Sequence, residues 1–501
     1  MRTGAAPDDF GQLTHVLNRY PVMRTLLSVG FTLLVTVSVW AAPGDLLWST
    51  PVRGEAWANP TVAPDGTIYL ATHRTGGVMY ALSSAGAILR TNYVRGMVEH
   101  SPALDRSNNL FYVTIPGTLT PGHPLAAGRW IASMRATNFS ERWRSALANG
   151  SDNSPWFGPS NRVYAGLIAD PTTPFATNGQ HFYEFDVQTG VTNLDLPTVG
   201  WIACPGVVDE AGRIFFGAED ITGSSVTSNV WPGLFYALNA NGATQWPAYP
   251  ALGDFGAPVA TVGGIVYTTC RDRNLYGFRA TDGEIVFQRE LAGRSWTGCA
   301  IGVNTNNGNW MLYTGTQATN GVSGPGMFYA IELDGSATGQ VRWSTAVGAM
   351  TFGTPALDDA GHVYYSTSTG ELQARDSNGV LLWSTNCGAG PGGPTILDDG
   401  TIVIASTANR VLAFEGNGSH LADHVPWPKY KRNLRNTSYV LDAPRDLDPA
   451  GNAQLVVQSD AGTPFPLPGT HVFPTGTLIW ARAPDWKDHD TQLVCVGWID
   501  G

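Results

Sequence analysis

The chain has 501 residues, with 59 Gly and 33 Pro, and these two residue types disfavour a mainly helical protein. Charged residues make up only 14% and the net charge is −11, so no basic surface for nucleic acid is expected. A hydrophobic share of 43% excludes a disordered chain. The composition therefore predicts an all-β protein that is rich in turns.

An apolar run near the N-terminus predicts export. Arg24 precedes apolar residues 25–40, and small residues follow from Ala41. This order is typical of a secretory signal. We expect residues 23–42 to be a signal peptide that is cut after Ala41 or the next alanine, and we interpret residues 1–22 as an extension upstream of the true start. The alternative is an uncleaved membrane anchor, because the run is close to the shortest length that spans a bilayer.

One phrase recurs eight times through the middle of the chain. It reads proline, two small or apolar residues, a turn rich in Asp, Asn or Gly, and an aromatic-rich strand. The copies start at residues 60, 102, 155, 205, 258, 300, 355 and 394, and only the sixth lacks the proline. Asp-Gly and Asn-Gly turns favour hairpins because these residues tolerate positive φ. A second phrase between the copies carries a strand with Trp, so each unit holds about four short strands.

Four antiparallel strands per unit, repeated eight times, predict an eight-bladed β-propeller over residues 43–444. The letters Leu-Leu-Trp-Ser-Thr stand at residues 46–50 and again at 381–385. No strands of the repeat precede residues 46–50, so these residues have no earlier strands with which to pair. We therefore expect residues 46–50 to complete the blade that begins near Gly393, which closes the ring and leaves few sheet edges exposed.

The repeat resembles the pyrroloquinoline-quinone-type propeller repeat over residues 44–438. The eight phrases carry the resemblance together with five tryptophans of the outer strands: Trp48, Trp143, Trp246, Trp343 and Trp383. In that family such tryptophans dock between neighbouring blades, so the resemblance implies a structural role for them. Residues 425–438 are similar to a closing phrase of the family's secreted members.

The family has a catalytic and a non-catalytic branch. Its quinone-dependent alcohol dehydrogenases cover the quinone with two adjacent disulfide-linked cysteines and use a catalytic Asp with calcium. This chain has five cysteines, at 204, 270, 299, 387 and 495, and no two of them are adjacent. No stretch of the sequence can be matched to the surroundings of the family's catalytic Asp. The resemblance therefore implies a non-catalytic binding or scaffold protein without a cofactor. Pyrroloquinoline quinone and calcium belong to the alternative, a quinone-dependent dehydrogenase.

These features together predict an exported protein that is periplasmic, at the cell surface or extracellular. We expect a monomer with a protein or glycan partner at the cell envelope and no stable membrane insertion after signal cleavage. The non-catalytic branch includes the accessory lipoprotein of the outer-membrane barrel assembly machinery, but no cysteine follows the signal here to carry a lipid. Pairing of Cys270 with Cys299, about one blade apart, stays open.

A second module is predicted over residues 445–501. Alternating strands follow a proline-bounded linker, and residues 461–473 with a Gly-Trp pair at 497–498 resemble surface modules of the internalin B-repeat type. We expect a partial β-repeat module. The alternative is a short β-extension that packs on the propeller.

Aromatic side chains shortly before the repeat prolines form the candidate ligand site. They are Trp57, His100, Trp201, Phe255, Trp296 and Phe352. Such positions enter the innermost strand of each blade, where aromatic side chains could ring the channel mouth and suit sugars or flat ligands. A carbohydrate-binding propeller is therefore a further alternative. Packing between blades competes with this interpretation, because their unequal spacing from the prolines turns them to alternate faces.

No catalytic or metal site is predicted. Acidic turns at residues 209–210, 358–359 and 398–400 lack the spacing of a dedicated calcium loop. His420 and His424 stand four apart in a segment that is not helical in pattern. The chain contains no G-x-S-x-G nucleophile elbow.

Overall fold

The regular elements of this protein are strands. The computed structural model describes residues 41–74, 77–116, 124–125, 127–168, 180–219, 233–304, 308–317, 325–333, 339–348, 353–388, 390, 392–442, 452–457, 469–474, 486–488 and 491–493. All of them belong to the second of two compact units, Ala41–Gly501. Residues 1–40 lie outside the described part, and with them most of the predicted signal peptide. Over the described ranges there is no helix, and hence none of a length and apolarity that could cross a membrane.

The strands follow one another in chain order. The first strand is β1, Leu46–Pro51. The next sixteen are β2 Thr61–Val62, β3 Ile68–Ala71, β4 Val78–Leu82, β5 Ile88–Tyr93, β6 Ala103–Leu104, β7 Asn109–Val113, β8 Trp130–Arg135, β9 Glu141–Ala146, β10 Trp156–Gly158, β11 Arg162–Gly166, β12 His181–Asp186, β13 Thr192–Pro197, β14 Val207–Val208, β15 Ile214–Glu219, β16 Gly233–Leu238 and β17 Thr244–Ala251. The remaining propeller strands are β18 Ala260–Val262, β19 Ile265–Thr269, β20 Asn274–Arg279, β21 Ile285–Glu290, β22 Ala300–Val303, β23 Trp310–Gly315, β24 Gly326–Glu332, β25 Val341–Val347, β26 Ala356–Leu357, β27 Val363–Ser366, β28 Glu371–Arg375, β29 Leu381–Asn386, β30 Thr395–Ile396, β31 Ile402–Ser406 and β32 Arg410–Phe414.

These strands form eight four-stranded antiparallel sheets, which are the blades of a β-propeller. Blades 1 to 7 each use four consecutive strands, starting with β2–β5 and ending with β26–β29. The predicted fold class is therefore confirmed. Near the C-terminus, β33 (Asn452–Val457) pairs with β34 (Gly469–Pro474), and β35 (Trp486–Asp488) pairs with β36 (Thr491–Leu493). The resemblance of this region to an internalin-type module stays a prediction.

Burial explains the two strand patterns in each blade. Inner strands are buried along their whole length, as in β7 and β31, since neighbouring blades cover both of their faces. They read as continuous apolar runs for the same reason. Outer strands lie at the rim and are mostly exposed, as in β5 and β9. Each blade therefore buries its inner strands against its neighbours.

The ring closes through a blade built from both ends of the propeller. Blade 8 has the strand order β1-β32-β31-β30, with Trp48 opposite Ala413. Hydroxyl groups then link this blade onward: Thr395 Oγ1 donates to Pro60 O at 3.1 Å, and Thr61 Oγ1 donates to Pro102 O at 2.6 Å. The closure that the repeated Leu-Leu-Trp-Ser-Thr letters predicted is thus present.

The five outer-strand tryptophans dock on the next blade. Each lies beside a register irregularity between the third and fourth strands of its blade, a device that re-aims side chains. The indole nitrogens donate across the blade boundary as follows: Trp48 to Ser84 O at 2.9 Å, Trp143 to Val187 O at 3.0 Å, Trp246 to Ala280 O at 3.4 Å, Trp343 to Ser377 O at 2.9 Å and Trp383 to Asn417 Oδ1 at 3.2 Å. Each indole also covers a glycine of that neighbour: Gly86, Gly190, Gly283, Gly379 and Gly44.

The docking contact predicts a difference between two glycine substitutions. Gly379 has φ +85° and a side chain there would meet the Trp343 ring at 2.6 Å, whereas Gly418 has φ +81° and open space around it. Both Ala variants share the cost of a left-handed backbone, about 1–2 kcal/mol. We expect Gly379→Ala to lose about 1–3 kcal/mol more, because the indole must shift. Urea unfolding of the two variants measures this difference, and equal stabilities would contradict the docking role of Trp343.

Candidate functional site

A segment after the last blade lies across the inner strands of the ring. We call residues 420–440 the closing segment. Its carbonyl oxygens accept hydrogen bonds from inner-strand N–H groups: Leu434 O from Val62, Arg435 O from Leu104, Thr437 O from Phe157, Ser438 O from Val208 and Pro428 O from Leu357. Trp427 and Ile301 exchange two backbone hydrogen bonds, at 2.7 and 3.0 Å. The segment is thereby bonded to six of the eight blades and occupies the central channel.

Two lysines of the closing segment are buried with uncharged partners. Lys429 Nζ donates to Tyr430 O and Asn433 O at 3.1 Å and to Asn436 Oδ1 at 2.5 Å. Lys431 Nζ donates to Pro155 O. Burial lowers the pKa of Lys429 to about 7 and lowers the pKa of Lys431 well below its ordinary value. These amines hold the segment in place through carbonyl acceptors.

The connectors between blades meet at one end of the channel. Each runs from the outer strand of one blade to the inner strand of the next, and because all blades have the same strand order, all connectors lie at the same end. The closing segment reaches them through Tyr430, whose hydroxyl is 2.9 Å from Ser154 Oγ. The charged and aromatic side chains at this end form a group that we call the pit. Its members are Trp57, His73, Glu99, His100, Asp152, Trp201, Glu219, Asp254, Arg271 and Trp296.

One part of the pit is a pair of carboxyl groups with a histidine on each. His73 Nε2 is 3.2 Å from Glu99 Oε2, and His100 Nε2 is 3.3 Å from Asp152 Oδ1. The two carboxyl groups also lie close enough to each other to interact. Burial and then the charge of Glu99 raise the pKa of Asp152 to about 6. Burial alone would raise the pKa of Glu99, but the hydrogen bond and charge of His73 outweigh it and bring the pKa below its ordinary value.

A second part joins two carboxylates to an indole and a guanidinium. Asp254 is fully buried and accepts from Trp296 Nε1 at 2.6 Å and from Arg271 Nη1 at 3.0 Å. The guanidinium carbon of Arg271 lies 3.9 Å from the centre of the Trp296 ring. Glu219 lies beside them, and burial followed by the charge of Asp254 raises its pKa well above the ordinary value.

A glycine lets these groups approach. A side chain at Gly256 would meet Trp296 Nε1 at 2.8 Å and Glu219 Oε1 at 3.3 Å. All four carboxyl groups of the pit, those of residues 99, 152, 219 and 254, lie close enough to Cys204 to add to the effect of burial, which raises the pKa of its thiol. The two parts are therefore one continuous site around the channel end.

The aromatic residues singled out from the sequence separate into two groups. Trp57, His100, Trp201 and Trp296 lie in the pit, and Trp57 meets His73 edge-to-face at 5.7 Å. Phe255 lies instead in the core between blades, fully buried, with its ring 5.4 Å from that of Phe235 and 5.7 Å from that of Tyr276. Packing is thus its role in the fold. Phe352 lies outside the described residues.

Sequence reasoning missed the carboxylates of the pit, although a signal was present. Glu99 and Asp152 stand three residues before a repeat proline and Asp254 stands four before, the same positions as the tryptophans. Only aromatic side chains were compared at these positions. Glu219 is the last residue of the second strand of its blade and Arg271 follows the second strand of the next, and the repeat pattern carries no corresponding signal at either position.

The acidic turns serve the hairpins. Asp209 Oδ1 accepts from the backbone N–H groups of Ala211 and Arg213 at 3.0 and 2.8 Å. Asp358 Oδ1 likewise accepts from Ala360 and His362 at 3.1 and 2.8 Å. These hydrogen bonds fix the turns and occupy one carboxylate oxygen of each.

One group of potential metal ligands lies away from the pit. Within the described part of the chain, Asp359, Asp423 and His424 bring one ligand atom each within 4.8 Å of one another. His424 Nδ1 is already 2.6 Å from Asp359 Oδ1, and His420 is not part of the group. Their position at a turn edge gives them no connection to the pit.

The cysteines of the described residues carry free, buried thiols. Cys270 and Cys299, whose pairing the sequence left open, are both free. Burial raises the pKa of each of these two thiols. They are packing residues of the same hydrophobic cluster.

Known proteins resemble this chain in its propeller. A family model described as outer membrane protein assembly factor BamB matches residues 327–438. No curated protein matches the chain. BamB from Moraxella catarrhalis has 15% identity and a TM-score of 0.52, with 74% of this chain and 99% of that chain covered. Quinohemoprotein alcohol dehydrogenase from Comamonas testosteroni has 13% identity and a TM-score of 0.56, with 74% and 77% covered.

A designed protein has the same fold. The computationally designed Ika8 protein has 13% identity and a TM-score of 0.51, with 74% of this chain and 100% of that chain covered. At such low identities these likenesses show the fold alone. They include both a BamB and a dehydrogenase, so they support the repeat type without separating the two branches of function.

Proposed function

Since this chain is a β-propeller of the pyrroloquinoline-quinone-like repeat family, we propose that it is a non-catalytic binding or scaffold protein of the bacterial envelope. The observation that carries the proposal is the charge of the pit. Four carboxyl groups, at positions 99, 152, 219 and 254, lie at the connector end of the ring, where Arg271 pairs with Asp254 and Arg74 lies over the Trp57 ring. Such a surface is suited to recognition and offers no activated nucleophile.

The pit does not fit the quinone of the catalytic branch. Pyrroloquinoline quinone is a flat tricarboxylate, so its site needs cations or donors for three negative groups. Arg271 is already paired with Asp254 at 3.0 Å, and the guanidinium carbon of Arg74 lies 5.8 Å from the centre of the Trp57 ring. Nowhere in the pit do three carboxyl, thiol or imidazole atoms lie within 4.8 Å, as a shared calcium ion would favour. The adjacent cysteine pair is also missing from the sequence. We therefore derive no redox step.

The sequence and the fold likeness together support the proposed envelope location and the proposed partner. Residues 23–42 have the pattern of a secretory signal. The solved BamB and the family model described as an assembly factor support a scaffold that binds protein. We propose that this propeller is exported and that its connector end binds a protein or glycan partner.

A reconstitution experiment tests the non-catalytic assignment. The full chain is mixed with pyrroloquinoline quinone and calcium, and thermal melting and dye-linked alcohol oxidation are followed. We expect neither a rise in melting temperature nor turnover, since the carboxylates of the pit repel an anionic cofactor. The Comamonas testosteroni dehydrogenase, treated in the same way, is the positive control. Turnover by this chain would overturn the proposal.

A further inference from the structure

The pit has the chemistry of a site for an organic cation. We propose that it binds a primary ammonium or guanidinium group of its ligand, held between Trp201, Glu219 and Asp152. This inference depends on the proposed binding function and names the ligand class of the same site. Four independent features of the site lead to it.

The first feature is an excess of carboxyl groups over cationic partners. The guanidinium of Arg271 pairs with Asp254, and the two histidines pair with Glu99 and Asp152. Glu219 is left within reach of the negative charges of Asp254 and Asp152, and Arg271 is the one cation that acts on it. Because its pKa is raised, the carboxyl group of Glu219 stays protonated to a higher pH than usual, and a bound cation would favour its ionised form.

The second feature is the combination of an indole with a carboxylate. Arg271 lies over the Trp296 ring at 3.9 Å while it pairs with Asp254, so the fold already holds one cation in this way. Trp201 and Glu219 face each other on adjacent backbones, joined by hydrogen bonds of 2.7 and 2.9 Å. Side chains of such directly opposed residues lie on the same side. They therefore offer a second cation the same pair of partners.

The third feature is a group of buried oxygens without hydrogen-bond partners at this end of the channel. Asn59 Oδ1, Thr297 Oγ1 and Thr354 Oγ1 are such atoms, and their residues are only 4%, 0% and 1% exposed. Side chains at the connector glycines 393 and 298 would meet the Asn59 and Thr354 oxygens at 2.2 and 2.3 Å. The Asn59 and Thr354 oxygens therefore lie directly against these two glycines. Buried polar atoms without a hydrogen-bond partner are costly to the fold.

The fourth feature disfavours a metal ion as the occupant. The single set of three close ligand atoms in the described ranges, at Asp359, Asp423 and His424, lies outside the pit. The carboxyl groups of the pit are spaced too widely for three of them to share one ion. Spread acceptors match the several N–H donors of an ammonium or guanidinium group instead.

Solvent reaches the site. The side chains of Glu99 and Asp152 are 16% and 25% exposed, and that of Arg271 is 15% exposed. Such partial burial leaves an entrance while it lowers the local dielectric constant, which strengthens attraction to a cation. The closing segment forms the other boundary, through the Tyr430 hydroxyl.

Calorimetric titration of the full chain tests the inference. The probes are cadaverine and the acetylated, amidated tripeptide Gly-Lys-Gly, and their neutral counterparts are pentanediol and the same tripeptide with Gln. We expect the ammonium compounds to bind at least about 10-fold more tightly than the neutral ones. Tighter binding of the tripeptide identifies a protein side chain as the source, and tighter binding of cadaverine identifies a free polyamine. Equal binding of charged and neutral probes, or no binding of any ammonium compound, would overturn the inference.

Two variants and one control assign the effect to the pit. Glu219→Gln and Asp152→Asn keep the size of each side chain and remove the carboxyl group that would ionise beside a bound cation. Each is expected to lose about 10-fold in affinity, whereas Glu284→Gln, exposed on blade 5, leaves affinity unchanged. Because two variants are measured, one that fails to fold does not remove the test. Unchanged affinity in a folded variant would overturn the inference, as would tighter binding of calcium than of either amine.

The outcome is distinguishable from that of the reconstitution experiment. Failure of both amines to bind, with no quinone turnover, overturns the cation inference and leaves the non-catalytic proposal standing. Turnover with quinone overturns the proposed function whatever the amines do.

Discussion

A Lys429→Met variant is expected to be about 3 kcal/mol less stable than the parent at neutral pH. Lys429 Nζ donates to Tyr430 O, Asn433 O and Asn436 Oδ1 at 3.1, 3.1 and 2.5 Å. Met has a similar length but no donor, so three buried acceptors lose their partner. Asn436 also donates to Asn59 O and Thr61 Oγ1, so the loss reaches the first blade through one side chain.

This deficit should grow as the pH rises. Burial lowers the pKa of Lys429 to about 7, against an ordinary value of 10.5. Between these values the unfolded chain keeps a proton on this amine and the folded protein does not. Raising the pH therefore stabilises the folded parent, by at most about 1.4 kcal/mol per pH unit. Met cannot titrate, so the variant lacks this gain. Lys431 is present in both proteins, and in the variant the charge of Lys429 no longer helps to lower its pKa, which acts in the same direction.

Urea unfolding at about pH 6 and about pH 8.5 measures both effects. Both pH values lie below the range in which ordinary thiols are fully ionised. Arg289→Met is the control, because Arg289 is exposed on β21 and its loss should cost less than about 0.5 kcal/mol. A Lys429→Met variant whose deficit is the same at both pH values would show that this amine keeps its ordinary pKa.

The fold could be predicted because its signals are local and repeated. Each blade shows its proline, its turn and its outer-strand Trp in about 40–55 residues, and stacking is the solution that buries such units. The closure could be predicted because residues 46–50 repeat the letters of residues 381–385. The path of the closing segment could not be predicted, since its hydrogen bonds come from single N–H groups of six blades and leave no period in the sequence.

The site could be predicted only in part. Positions three and four before the repeat prolines do reach the channel end, as Trp57, Asp152 and Trp296 demonstrate. Their spacing does not tell which side chain faces the pit, because the connectors bend differently: Trp201 lies in the pit, and Phe255 packs between blades. Glu219 enters through an isolated bridge to Trp201, a tertiary contact that no local pattern encodes.

Asp254→Ala is expected to lose about 3–5 kcal/mol of stability, the largest effect of any pit substitution. The Asp254 carboxylate is fully buried and holds both Arg271 and the Trp296 indole, at 3.0 and 2.6 Å. Its removal leaves the Arg271 guanidinium, whose side chain is only 15% exposed, over the Trp296 indole without a carboxylate partner. Asp254 is thus a structural member of the pit, whereas we expect Glu219→Gln to keep the fold.

An exposed ion pair in the same blade is the matched control. Glu284 pairs with Arg279 at the surface, where both side chains are largely in solvent, and Glu284→Ala should cost less than about 1 kcal/mol. Thermal and urea unfolding compare the two variants. In Asp254→Ala the indole also loses its buried acceptor, so Trp fluorescence should shift, and Glu284→Ala should leave it unchanged. If both variants lost equally little stability, the Asp254–Arg271–Trp296 group would not support the fold, and its carboxylate would be available to the cationic ligand in place of Glu219.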